Sequence, residues 1–326
     1  MKKAIRPLFI LFLLLVSNHH SYCWGFYAHQ KINYYAVFLL PPEMMVLFKP
    51  NISFLAEHAI DPDKRRYAVP DEGPRHYIDI DHYGIYPYGS LPRKWSDALI
   101  KFGEDSLIVH GIVPWHIQTM MYRLTDAFRD KNFSGIMKNC AEIGHYIADA
   151  HVPLHACSNH NGQLTNQRGI HAFWESRVPE LLAEKEFDFF IGKAAYIQNP
   201  GDFIWKRVLE SAKAADSVLS FERDLTLRFP DDKKFSFENR NGAMIRQYSS
   251  AFTIAYNKKL DGMIERRMRQ SIFAIASFWY TAWVNAGQPD LKALINRKFS
   301  EADLREFEKL NTQWSSGSKM IGREEQ

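Results

Sequence analysis

The stretch His145-Tyr-Ile-Ala-Asp149-Ala-His-Val-Pro-Leu-His155 decides how this chain is read. The apolar run Ile136, Met137, Ile143, Ile147, with Pro153 as a stop, predicts a helix, so His145 and Asp149 fall one turn apart on the same face. One metal ion can bind both side chains. His155 follows beyond the proline, and sixteen residues later His171-Ala-Phe-Trp-Glu175 repeats the His and carboxylate spacing of four. A lone His-x-x-x-Asp pair is ordinarily a helix-surface contact. Two pairs and a further histidine favour a site for several zinc ions, because zinc takes imidazole nitrogen and carboxylate oxygen from groups that converge.

Outward from this stretch, helical periodicity covers 95–110, 115–130 and 134–152, the last with Ser134 as a natural N-cap. Further amphipathic segments occupy 171–184, 202–227 and 243–258. Ile264, Met268, Ile272, Ile275, Trp279 and Trp283 form one stripe that stops at Gly287, with Pro289 beyond. Shorter helices are expected at 31–40 and 51–60, followed by a loop rich in Pro, Asp and Arg. Strand-type alternation is nearly absent, so the chain reads as all-α. No repeat, linker or break in composition interrupts residues 24–290, and a single multi-helix domain over 24–296 is expected. Residues 297–326 are charged and polar and read as a tail that frays.

The N-terminus reads as a secretory signal over residues 1–23: Lys2, Lys3 and Arg6, a nine-residue apolar run from Leu8 to Val16, then Ser21 and Cys23 before Trp24. That run is too short for a bilayer, where about 20 residues are needed. Export to the periplasm or the extracellular space is the expectation, as a soluble monomer with no transmembrane segment and no organic cofactor. Loss of the signal lowers 41 basic residues to 38 against 37 acidic ones, leaving a net charge of +1. Global charge therefore argues neither for nor against a polyanionic substrate. Cys140 and Cys157 remain, either paired in an oxidising compartment or as two buried thiols.

Taken together, Trp24, His29, Asp61, His76, His145, Asp149, His155, His171 and Glu175 resemble the ligand set of the zinc-dependent phospholipase C and S-one/P-one nuclease superfamily. The motifs cover residues 24–175. The resemblance implies a secreted all-α enzyme whose cleft holds three zinc ions and hydrolyses phosphoester bonds through a metal-generated hydroxide. It assigns Asp61, His76, His145 and Asp149 to one zinc, and His155, His171 and Glu175 to a second. The third falls to the amine and carbonyl of Trp24, to His29, and to Asp149 as a bridge. Asp63 is close enough to take the place of Asp61. Manganese or iron at one position is compatible with the same ligand types.

Substrate signals divide. Lys64 stands where the nuclease branch directs a basic residue at the substrate phosphate, and Tyr77 and Asp79 stand where that branch stacks and hydrogen-bonds a base. These residues, with Pro62 where a phospholipase places a choline-site tyrosine, favour nucleic acid or a nucleotide as substrate. Glu175 as last ligand and Gly169 two residues before His171 resemble the phospholipase branch instead. Phospholipid is therefore the alternative substrate. Arg168 leaves a nucleotidase open, and a zinc-binding scaffold without catalysis is the reading from a different class. The bland alternatives are a solvated basic turn at 64–66, a packed Tyr77, and His151 as a surface histidine or a support for a ligand.

Overall fold

The computed structural model describes residues 25–240, 242–316, 320 and 321. The predicted signal segment and Trp24 lie outside the described residues. Helices dominate, in this order: α1 (Phe26–Val37), α2 (Pro42–Phe48), α3 (Ile52–Glu57), α4 (Asp61–Arg65), α5 (Trp95–Phe102), α6 (Glu104–Val109), α7 (Val113–Arg129) and α8 (Phe133–Asp149). Then come α9 (Ile170–Ala172), α10 (Val178–Glu186), α11 (Pro200–Thr226), α12 (Ser250–Lys259), α13 (Met263–Asn285) and α14 (Glu301–Ser315). The all-α class follows from the sequence periodicity as expected. No described helix is long and apolar enough to cross a membrane.

The predicted stripe on α13 is the centre of the core. Ile264, Met268, Ile272, Ile275, Trp279 and Trp283 are all buried, against α1, α7 and α8. Trp279 donates its indole N–H to the carbonyl of Cys140 on α8 at 3.0 Å, so burying the ring leaves no orphaned donor. Cys140 and Cys157 are both buried and are not joined to each other.

α1 approaches α8 closely, and a glycine makes this possible. Asn33 on α1 donates to the carbonyls of Leu55 and Ala141, each at 3.0 Å, and lies against Gly144. A Cβ at Gly144 would meet Asn33 Oδ1 at 2.1 Å. Gly144 directly precedes His145, so this contact sets how near α1 comes to the candidate ligands.

Several boundaries differ from expectation for local reasons. The helix expected over 95–110 is broken at Gly103, whose φ of 75° lies in the left-handed region. The cap of α8 is Asn132, which accepts from the N–H of Gly135 at 3.0 Å, while Ser134 donates to Asp303. The helix expected over 243–258 begins only at Ser250. Ahead of it, β1 (Phe235–Arg240) and β2 (Ala243–Tyr248) form an antiparallel pair in which Phe235 faces Tyr248 and Arg240 faces Ala243. Most of the expected tail is also ordered: α14 opens with a capping box between Ser300 and Asp303, and the N–H of Ile321 reaches the carbonyl of Arg66 at 2.8 Å.

Candidate metal centre

α8 delivers His145 and Asp149 from one face, as their spacing predicts, and both are fully buried. α1 contributes His29, whose ring stacks on His145 with centroids 3.9 Å apart. α8 ends at Asp149, before the expected stop at Pro153, and the 3₁₀ turn Pro153–Ala156 carries the buried His155. His171 lies on α9, which continues through a π-helical stretch, Phe173–Arg177, into α10. Glu175 sits in that wide turn, a helical irregularity frequent at functional sites. Gly25 is tied to the same turn, its N–H donating to Ser176 Oγ at 3.0 Å.

Asp149 is the junction. Its Oδ2 lies 3.0 Å from His76 Nδ1 and 3.2 Å from His145 Nε2, while Oδ1 lies 3.4 Å from His29 Nε2. His145 Nε2 and His76 Nδ1 face each other at 3.0 Å. A second group joins His171 Nε2 to His155 Nε2 at 3.1 Å and to Glu175 Oε2 at 3.0 Å, with His155 Nε2 3.5 Å from that oxygen.

The partners of the opposite ring nitrogens indicate which atoms carry lone pairs. His145 Nδ1 faces the carbonyl of Ala59 at 2.8 Å, His155 Nδ1 that of His76 at 2.6 Å, and His171 Nδ1 that of His160 at 3.0 Å. A carbonyl only accepts, so each Nδ1 carries the proton and each Nε2 points its lone pair inward. Among the described residues, both oxygens of Asp63, both of Glu175 and Oδ1 of Asp149 are buried without a hydrogen bond. Tetrahedral zinc with ligand bonds of about 2.0–2.1 Å separates its ligands by roughly 3.4 Å, close to the spacings found here. The donor set fits metal ions.

Electrostatics point the same way. Burial opposes charge on His145, yet Asp149 and Asp63 outweigh it and raise its pKa to about 9. Burial lifts Glu175 to about 7 against the opposing pull of His155. Both shifts draw protons into a cluster that holds more negative charge than buried groups can leave uncompensated. A bound cation supplies the same compensation and competes with those protons.

Two of the expected residues take the alternative place that the sequence left open. Asp61 turns to His58 Nδ1, 2.6 Å away, and to Lys64 Nζ, 3.0 Å away. The carboxylate facing the cluster is Asp63, whose Oδ1 lies 3.6 Å from His145 Nε2 and 3.7 Å from His76 Nδ1. The two residues flank Pro62 in one short turn, so their side chains leave in different directions and spacing alone does not separate them. Tyr77 is the second of them. Its hydroxyl donates to the carbonyl of Val109 at 3.1 Å, its ring packs where a Cβ on Gly111 would stand, and only 5% of it is exposed. A packed ring offers no open face to a base. Asp79 Oδ2 lies 3.8 Å from His110 Nδ1. Arg168 is exposed, and His151 is fully buried with Nδ1 on the carbonyl of Ile147.

Residues 64–66 do not form a solvated basic turn. Lys64 is buried, and Arg65 bonds Glu142 and Glu72. Glu72 is the residue that the sequence reading missed. Fully buried, it accepts from Arg65 Nε at 3.2 Å, from an Arg75 guanidinium nitrogen at 2.8 Å and from the Tyr146 hydroxyl, and its Oε1 lies 3.5 Å from His76 Nε2. Burial works against its charge, but His76 and Arg65 hold it far below the usual carboxylate range. It links the segments bearing Asp63, His76 and His145, and its charge faces His76 Nε2 while Nδ1 faces the cluster. Glu72 and His76 are four apart, the spacing of the other two pairs, but in reverse order and within a loop.

Comparison with family models finds no match, and a search of curated proteins finds none either, so the functional reading rests on the residues themselves.

Proposed function

We propose that this protein is a zinc-dependent phosphodiester hydrolase. The observation that carries this reading is the meeting of His155 Nε2, His171 Nε2 and Glu175 Oε2, three electron-pair donors within 3.5 Å of one another. Asp63, His76, His145 and Asp149 would hold one ion, and His155, His171 and Glu175 a second. His29 and Asp149 Oδ1 supply part of a third set, which the family resemblance completes with Trp24. Zinc bound there would lower the pKa of water towards 7 and offset charge on a phosphoryl group.

The protein's own contribution is position and dryness. Asp149 would hold two ion sites through its two oxygens, and three backbone carbonyls orient the rings of His145, His155 and His171. Lys64, next to Asp63 in α4 and bonded to Asp61, would supply the positive charge for a phosphate oxygen. Lys64, with Pro62 where a phospholipase places a choline-site tyrosine, favours the nuclease-like reading, with nucleic acid or a nucleotide as substrate; the packed Tyr77 adds no support to it.

The test is a side-by-side assay of the purified protein on single-stranded DNA, RNA, a 3′-nucleotide and phosphatidylcholine, with and without chelator. Chelator-sensitive cleavage of the nucleotide substrates is expected. Cleavage of phosphatidylcholine alone would assign the phospholipase branch, and inertness of the zinc-loaded protein on all four would leave a zinc-binding scaffold.

A further inference from the structure

The C-terminal helix docks on the same corner of the molecule as Lys64. Only Asp303, Phe307, Leu310 and Trp314 of α14 are partly covered, a stripe at helical spacing that runs from the start of α8 to α4. Asp303 pairs with Lys138 at 2.7 Å. Phe307 lies on His58, with ring centroids 4.4 Å apart, and His58 is the partner of Asp61. Asn311 Oδ1 accepts from Lys64 Nζ at 2.8 Å. Trp314 places its ring 5.9 Å from the same ammonium and 5.4 Å from the ring of Phe26, three residues before His29.

We propose that α14 is an inhibitory strap over Lys64 of α4, the short helix that also bears Asp63, with Asn311 Oδ1 standing as acceptor where an oxygen of a phosphate ligand would be held. This rests on the proposed phosphate role of Lys64. Two of the three ammonium donors are taken, by Asp61 and Asn311, and the side chain is 91% covered. A phosphate dianion outcompetes a neutral amide for an ammonium, because the charge-assisted bond is the stronger one. No residue of α14 is fully buried, and it is held by ring contacts of Phe307 with His58 and of Trp314 with Phe26.

Calorimetry of inorganic phosphate binding to the full-length, zinc-loaded protein tests the strap without relying on hydrolysis. Asn311→Ala should tighten phosphate binding by roughly three- to ten-fold, the scale of one partly buried hydrogen bond to a charged group. Lys64→Ala should weaken it, and adding Asn311→Ala to Lys64→Ala should change nothing further. In the unaltered protein, saturating phosphate should speed amide hydrogen exchange across 301–316. Unchanged or weaker binding in Asn311→Ala, or slower exchange across α14 with phosphate, overturns the strap while leaving the hydrolase reading intact. A Lys64→Ala protein that binds phosphate as well as the unaltered one removes the phosphate role of Lys64 and the strap together.

Discussion

His155 and His171 point their Nε2 atoms at each other across 3.1 Å, although each ring already uses Nδ1 on a backbone carbonyl. Two such lone pairs repel unless a proton or a cation sits between them, and Glu175 adds a third electron pair to the same space. One proton cannot satisfy three donors at once, whereas one zinc ion can.

Asp149→Asn should remove nearly all hydrolytic activity and lower the zinc content. The substitution keeps size and one oxygen but removes the charge shared by His29, His76 and His145. Retention of more than about a tenth of the activity, a loss smaller than roughly 1.4 kcal/mol in barrier, would speak against a bridging role.

Glu72→Gln should weaken zinc affinity by about 10- to 100-fold, as measured by competition with a chromophoric chelator. The amide preserves shape but leaves Arg65 and Arg75 without their shared counter-charge and removes the negative charge that faces His76 Nε2. Unaltered affinity would reduce Glu72 to a structural ion-pair partner.

Gly144→Ala should destabilise the fold by about 1–3 kcal/mol in urea unfolding, even though alanine is the better helix former. The added methyl would meet Asn33 and push α1 from α8, separating His29 from His145. Stability equal to the parent would mean that Asn33 can turn aside without loss.

Much of the fold was legible because its code is local: the α13 stripe and the pairs at 145/149 and 171/175 need only helical spacing. The expected residues His29, His76, His155, His171 and Glu175 lie in or beside the same cluster. What escaped depends on direction or distance. Asp61 and Asp63 bracket one proline, and only the packed chain shows which faces inward. Tyr77 looks like a stacking platform until Gly111 and Val109 close over it. The charged residues of α14 conceal a stripe of four, and its partners at Lys64 and Phe26 lie more than two hundred residues away in sequence.

Acid should destabilise the protein from about pH 6.5 downward, partly through His116 and His151. Burial lowers both to about 3 from an ordinary value of 6.5. Between these values the unfolded chain binds protons that the folded chain refuses, so their contribution is intact above pH 6.5 and is lost as pH falls towards 3. Each histidine adds at most about 1.4 kcal/mol per pH unit. His116→Phe should therefore give a shallower fall in urea midpoint between pH 6.5 and 4.5, and a fall as steep as the parent's would contradict the assignment.

Zinc stoichiometry is the most direct measure of the central claim. On the proposed reading, the protein, purified without chelating agents and dialysed against metal-free buffer, should carry about three zinc equivalents per chain, one for each of the three groups of ligand-type residues. His155→Ala should lose one equivalent while remaining folded by circular dichroism. A protein that holds no zinc, and that takes up none on titration at neutral pH, would contradict the account.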